Sequence, residues 1–350
     1  MRRKSFFVIF GAIALVSAII IWQGLAEELR KSAPVEGFEV FLERKDICTL
    51  AFNDDEVWAG GIDGLFVYRD GSFAEVGDFR QVKAVIQDRG VIWAGHDDGV
   101  TRIESGEMIT LNEQDGLPDR RVNALAADPD GVIWAGTWGG IALIINTEID
   151  RIMTSDDGLI DDMVNVITLT SRGDKWIGSY VAPRGGATVF SDGRKQLFST
   201  DDGLLHSNIN AIIELADNVV LAGGGLYTKG GGTLFIRSDA GWMKAGEMTV
   251  EDGIAGEKIR SVFLDSTGSL WVGSEYDGLA AFRNFEVNAA GTLSYSEQVV
   301  LTTDRGLPNN EVKVISQDPE GRIWIGTRSG LLRIDKGGSV NVWGSDGTDS

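Results

Sequence analysis

A seven-bladed β-propeller, an all-β ring of four-stranded antiparallel blades, is the fold this sequence predicts, and three observations predict it. One hairpin phrase, VIWAGTWGGIALI at 132–144, has relatives starting at Val57, Val91, Asp174, Val219, Ser269 and Arg322, which makes seven copies. Its aromatic position, read as Trp58, Trp93, Trp134, Trp176, Leu221, Trp271 and Trp324, advances in steps of 35, 41, 42, 45, 50 and 53 residues, the spacing of a repeat architecture. One more strand-like segment precedes each hairpin and another follows it, with no amphipathic helix between, so each unit has four strands. A β-helix would need much shorter repeats, and an open solenoid would need capping units.

In chain order the first element is apolar. Arg2, Arg3 and Lys4 lead into an uncharged run at 6–22, seventeen residues, followed by the polar stretch 23–31. That length is short for a spanning helix and long for the apolar part of a signal peptide. Residues 1–26 are expected to be a signal-anchor helix. Cleavage near Ala26, after the small-x-small triplet Gly24-Leu25-Ala26, and burial as a core helix are the alternatives. With either export reading the basic flank stays in the cytoplasm and the remainder is exported. Residues 27–37, with Pro34, read as a tether, and 38–350 as the propeller.

Composition narrows the partners. Lys and Arg number 32 against 52 Asp and Glu, a net charge of −20 that opposes binding to nucleic acid or an anionic lipid surface. One cysteine, Cys48, excludes an intrachain disulfide and a cysteine-based metal site; its setting, ICTLAF, reads as a buried strand thiol.

Within each hairpin the glycine two residues after the aromatic position lets another chain segment approach, and a second one, from Gly64 to Gly330, leaves the turn. The Trp is read as packing between sheets. Turns such as 128–131 (DPDG), 265–268 (DSTG) and 318–321 (DPEG) fall on one face, where Asp bonds its own backbone and Gly supplies positive φ. Two segments, 38–42 (FEVFL) and 339–343 (SVNVW), compete to supply the strand that completes the last blade and removes its open edge.

A second phrase links the units: Asp115-Gly116-Leu117-Pro118, Asp157-Gly158-Leu159, Asp202-Gly203-Leu204, Asp252-Gly253-Ile254 and Arg305-Gly306-Leu307-Pro308. Together with the following strands, DGLPDRRVNALAADPDGVIWAGTWGGIALI and DRGLPNNEVKVISQDPEGRIWIGTRSGLLRID resemble the two-component-regulator propeller repeat of periplasmic sensors in bacterial hybrid histidine kinases. The resemblance extends over 46–335 and is weaker in units one, two and five. It implies a propeller in a bacterial cell envelope, periplasmic or extracellular, that binds a ligand or partner. The chain resembles the sensor part without kinase or output modules, so its signal would pass to a separate sensor kinase or envelope protein.

Binding residues are expected on the face opposite the Asp turns. The second position of each innermost strand reads Cys48, Lys83, Asn123, Asn165, Asn210, Arg260 and Lys313, a polar, partly cationic series suited to a small polar or anionic ligand. Around it the entry loops bring Arg121, and the hairpin turns Trp138, Tyr180, Tyr227, Tyr276 and Arg328. The competing reading is that the Asn and Lys side chains only satisfy loop carbonyls or reach solvent. No catalytic residue, metal ligand or cofactor is expected. His96 and His206 fall in different units, each read as a lone surface histidine, and no nucleophile elbow or phosphate loop occurs. A ligand-binding sensory module is therefore the leading expectation, an envelope interaction scaffold the second, and a propeller lyase or glycoside hydrolase the third.

Overall fold

The structure is a computed structural model that describes residues 36–180, 185–227, 230–288, 290–336 and 342–343. The expected helix at 1–26 and all but the end of the tether lie outside the described residues. Among the described residues no helix is long and apolar enough to cross a membrane.

Seven four-stranded antiparallel sheets form the expected ring. Their innermost strands are Thr49–Asn53, Ala84–Asp88, Val122–Ala127, Val164–Leu169, Ile209–Ala216, Ile259–Leu264 and Val312–Gln317. Each packs on the next, and the seventh packs on the first. Phe38–Phe41 completes blade 7 by pairing antiparallel with Gly330–Ile334, Phe38 opposite Ile334 and Phe41 opposite Leu331. Of the other candidate only Val342 and Trp343 are described, and neither is in a strand: Val342 is buried in the cluster between blades 6 and 7, and its carbonyl accepts from Arg305 Nη2 at 3.1 Å. Blade 6 carries an inserted hairpin, Glu286–Val287 with Leu293–Ser294, before its outer strand Glu297–Leu301.

The repeat residues hold blades to each other. A Cβ on Gly95 would come within 2.6 Å of Val122, the buried residue that starts the next blade's inner strand, and Gly136 stands in the same relation to Val164 at 2.5 Å. A β-branched side chain thus fills the notch left by its neighbour's glycine. The Asp of the turn phrase binds the tryptophan six residues on: Trp134 Nε1 donates to Asp128 Oδ2 at 3.2 Å, Trp271 to Asp265 at 2.9 Å and Trp324 to Asp318 at 2.7 Å. The other oxygen of each carboxylate accepts backbone N–H groups of its own turn.

The linking phrase is a capped turn. Asn112, Ser199 and Thr249 begin single 3-10 turns as capping boxes with Asp115, Asp202 and Asp252. Gly116, Gly203 and Gly253 end them at φ 103°, 95° and 98°, a left-handed conformation that glycine adopts without a Cβ clash. The next residue, Leu117, Leu204 or Ile254, is buried between blades.

Candidate functional site: the axial pocket

The second-position series converges. Lys83, Asn123, Asn165, Asn210, Arg260 and Lys313, with Cys48, line one cavity of about 270 Å³ on the ring axis, together with Asp46, Ile62 and Glu311. In blades 3 to 7 this position is a bulge where the strand register slips, as between Val122 and Ala124. The bulge is the local reason that one residue per blade leaves the ladder for the axis.

Several of these side chains tie blades together. Asn123 Nδ2 donates to Val164 O at 3.2 Å, Asn165 Nδ2 to Ile209 O at 2.8 Å and Asn210 Nδ2 to Ile259 O at 2.9 Å. Cys48 Sγ does the same to Val82 O at 3.3 Å, and burial pushes its thiol up to about 11, so it stays protonated. The carbonyl-satisfying reading therefore holds for the asparagines as far as their amide nitrogens go. Among the described residues none donates to Oδ1 of Asn123 or Asn165, whereas Asn210 Oδ1 accepts from Asn165 and Asn208.

Two of the three expected cations are ion-paired. Lys313 Nζ lies 2.6 Å from Asp46 Oδ2 and 3.4 Å from Glu311 Oε1, and Arg260 Nη2 lies 3.3 Å from Glu275 Oε1. Lys83 alone among those cations makes no ion pair with a described residue, and it is exposed. The sequence signal for Asp46 and Glu311 is that both stand two residues before an axial residue, Cys48 and Lys313. That offset places them on the loop, outside the strand positions read for binding.

The remaining six expected residues do not line the pocket. Arg121, Trp138 and Tyr180 form a strip over blades 3 and 4. The Arg121 guanidinium lies 4.1 Å above the Trp138 ring, which stacks on Tyr180 at 6.3 Å and 22°. Arg121 is fixed by Asp119 through Nε at 2.8 Å and Nη2 at 2.6 Å, and Trp138 is 36% exposed. Tyr276 stands beside Lys258 at 4.9 Å, and its hydrogen bond to Glu275 holds the phenol above the usual range. Tyr227, 85% exposed, has no ring contact among the described residues, and Arg328 lies 3.6 Å from Glu311.

The histidines differ from expectation in one case. His96 is buried: its Nδ1 accepts from Asp98 N at 3.2 Å, and Nε2 is 2.8 Å from Thr101 Oγ1. It replaces the hydroxyl that Thr137 and Thr327 use in the same turn of blades 3 and 7. His206 is half-buried and accepts from Asn208 N at 2.8 Å. Burial lowers both imidazoles below the ordinary value.

Comparison with known proteins now bears on this ring. The family model described as two component regulator propeller matches residues 116–139 and 306–329, the third and seventh units. A search of curated protein sequences finds no match. Solved structures match throughout the ring. The extracellular domain of a protein described as a hybrid two component system, BT3049 of B. thetaiotaomicron, superposes with a TM-score of 0.71 at 18% identity, over 87% of this chain and 42% of that one. PorZ, a surface component of the type-IX secretion system of Porphyromonas gingivalis, gives 0.61 at 15% identity, over 90% and 48%. Virginiamycin B lyase of Staphylococcus aureus gives 0.59 at 14% identity, over 85% and 98%. The chain spans less than half the length of the first two.

Proposed function

From a chain built of two-component-regulator propeller repeats, we propose a sensory module held in a bacterial cell envelope, whose axial pocket takes a small polar ligand and whose occupancy is read by a separate partner. The single observation that carries this reading is the pocket itself. Seven blades each send one non-ladder side chain to the same 270 Å³ space, and one cation there, Lys83, has no ion-pair partner among the described residues. Its volume suits a metabolite rather than a polymer. The extracellular setting named for BT3049 supports the envelope location, and the apolar run at 6–22 supports a membrane tether.

The test is a thermal-shift and calorimetric screen of the full-length chain in detergent against amino acids, sugars, uronates and small dicarboxylates, repeated with Lys83→Met. Binding to the parent that weakens in the variant supports the reading. Saturable binding that ignores Lys83→Met and Asn123→Ala alike moves the site elsewhere.

A second reading follows from a different observation. The Arg121, Trp138 and Tyr180 strip lies outside the axial lining and presents a fixed cation on the face of a stacked aromatic pair, the composition of protein contact surfaces. An envelope scaffold that docks a protein there would lose binding in Trp138→Ala and keep it in Lys83→Met.

A further inference from the structure

Resting on the axial-pocket reading, we infer that the ligand is a zwitterion of the amino-acid class, its carboxylate received by Lys83 and Arg260 and its ammonium group by Asp46 and the acids around it. Buried polar atoms without a hydrogen bond are rare in folded proteins, and each calls for a cause. Six occur among the described residues, and four belong to residues at this end of the channel: Asp46 Oδ1, Asn208 Oδ1, Arg260 Nε and Glu275 Oε2. Asp46 is 6% exposed and lines the cavity. Arg260 lines it too; Asn208 and Glu275 stand behind the lining, Asn208 donating to the axial Asn210 and Glu275 pairing with Arg260 and, through Oε2 at 3.7 Å, with Lys258.

The inventory has a direction. Of the two unsatisfied atoms on lining residues, Asp46 Oδ1 is an acceptor and Arg260 Nε a donor, and the Oδ1 atoms of Asn123 and Asn165, which accept from no described residue, add two more acceptors to the lining. An ammonium group supplies three N–H donors, whereas a dicarboxylate supplies none. The donor side, Arg260 Nε with the unpaired Lys83, fits one carboxylate. Charge agrees: the lining holds both signs, Lys83, Arg260 and Lys313 with Asp46 and Glu311. A site that offers both a cation and an acid favours a dipolar guest over a dicarboxylate. A sugar would satisfy acceptors but leave Lys83 without a counter-charge.

The experiment is isothermal titration of the full-length chain in detergent with the twenty L-amino acids, followed for the tightest binder by its N-acetyl and carboxamide forms. Expected is saturable one-to-one binding, with each blocked form weaker by about tenfold or more, the scale of one lost charge-assisted contact. Lys83→Met should weaken the free amino acid and leave the carboxamide unchanged. Asp46→Asn, which keeps an oxygen for Lys313, should weaken the free amino acid and spare the N-acetyl form. Lys83 is exposed and unpaired, so its variant keeps the fold. If sugars or dicarboxylates bind in a Lys83-dependent way while amino acids do not, the zwitterion is overturned and the pocket reading stands. If no class binds, both fall.

Discussion

Asp318 shows how much a single side chain does in this repeat. One oxygen accepts Arg322 N at 2.8 Å to shape the turn, and the other accepts the indole of Trp324 at 2.7 Å, so the turn is fastened to the buried packing of its own blade. Replacing it with Ala orphans that buried indole, and we expect a loss of about 1–3 kcal/mol by chemical denaturation. Blade 4 supplies the contrast. There Thr170 stands where blades 3, 6 and 7 have Asp, and Trp176 Nε1 has no hydrogen-bond partner among the described residues. Trp176→Phe should therefore cost less than Trp324→Phe, and equal costs would show that the indole bond adds nothing. His96 gives a pH test. Its folded pKa lies below the unfolded value, so the neutral form is favoured in the fold. Stability from it is complete above the unfolded pKa of about 6.5 and declines as pH falls below that value. In His96→Thr, the hydroxyl used by blades 3 and 7, the fall in melting temperature between pH 7 and 5 should be smaller than in the parent. The Asp-to-Trp offset of six residues was visible in the sequence at 128/134, 265/271 and 318/324. It went unread because an Asp-Pro-x-Gly turn already accounts for its Asp locally, and only coordinates show the second oxygen leaving the turn.

The strand Phe38–Phe41 is the element that turns a row of sheets into a ring. It covers the edge of Gly330–Ile334, and Phe41 stacks on Trp324 at 5.6 Å while meeting Tyr68 and Phe73 of blade 1 at 5.6 Å. Blade 7 and blade 1 therefore share one aromatic cluster, capped by Arg333 at 5.4 Å from the Phe41 ring. Phe41 is only partly buried, so Phe41→Ala should cost about 2–3 kcal/mol, below the range for a fully buried ring. Hydrogen exchange should accelerate first in Gly330–Ile334, and uniform acceleration in all blades would deny that the seam is the weak point. The seven hairpins were legible because their aromatic residues and glycines recur at fixed offsets. The choice of closing strand was not, because 38–42 and 339–343 are both short, apolar and adjacent to a terminus. What separates them is tertiary: Phe41 has an aromatic cluster to enter, and Val342 has a pocket between blades 6 and 7.

For the whole molecule the axial pocket and the closure seam are one structure. Asp46 enters at the start of the first blade and Lys313 on the last, yet they meet at 2.6 Å. The seven axial residues were recognisable from strand position alone. Their pairing was not, since the acids beside them arrive on loops, Glu275 and Glu311 from the same blades and Asp46 from across the seam. In a chain that carries a net −20, like charges tend to push the blades apart, and a buried cross-seam ion pair opposes that locally. Lys313→Met leaves the 6% exposed Asp46 carboxylate without its partner, and the expected cost is about 3–5 kcal/mol. Adding Asp46→Asn removes the stranded charge and should restore most of that loss, so the double variant should be more stable than Lys313→Met alone. A double-mutant cycle by urea denaturation measures the coupling, and a value near zero would mean that the pair contributes nothing to closure. A ligand measurement carries the functional reading. If recognition uses the axial cation, ligand that raises the melting temperature of the parent should raise that of Lys83→Met less, while that variant's unliganded stability stays at the parental level. For saturating ligand at about a hundred times its dissociation constant the parental gain is about 2.7 kcal/mol. A Lys83→Met variant that is as strongly stabilised by ligand as the parent would place recognition away from Lys83.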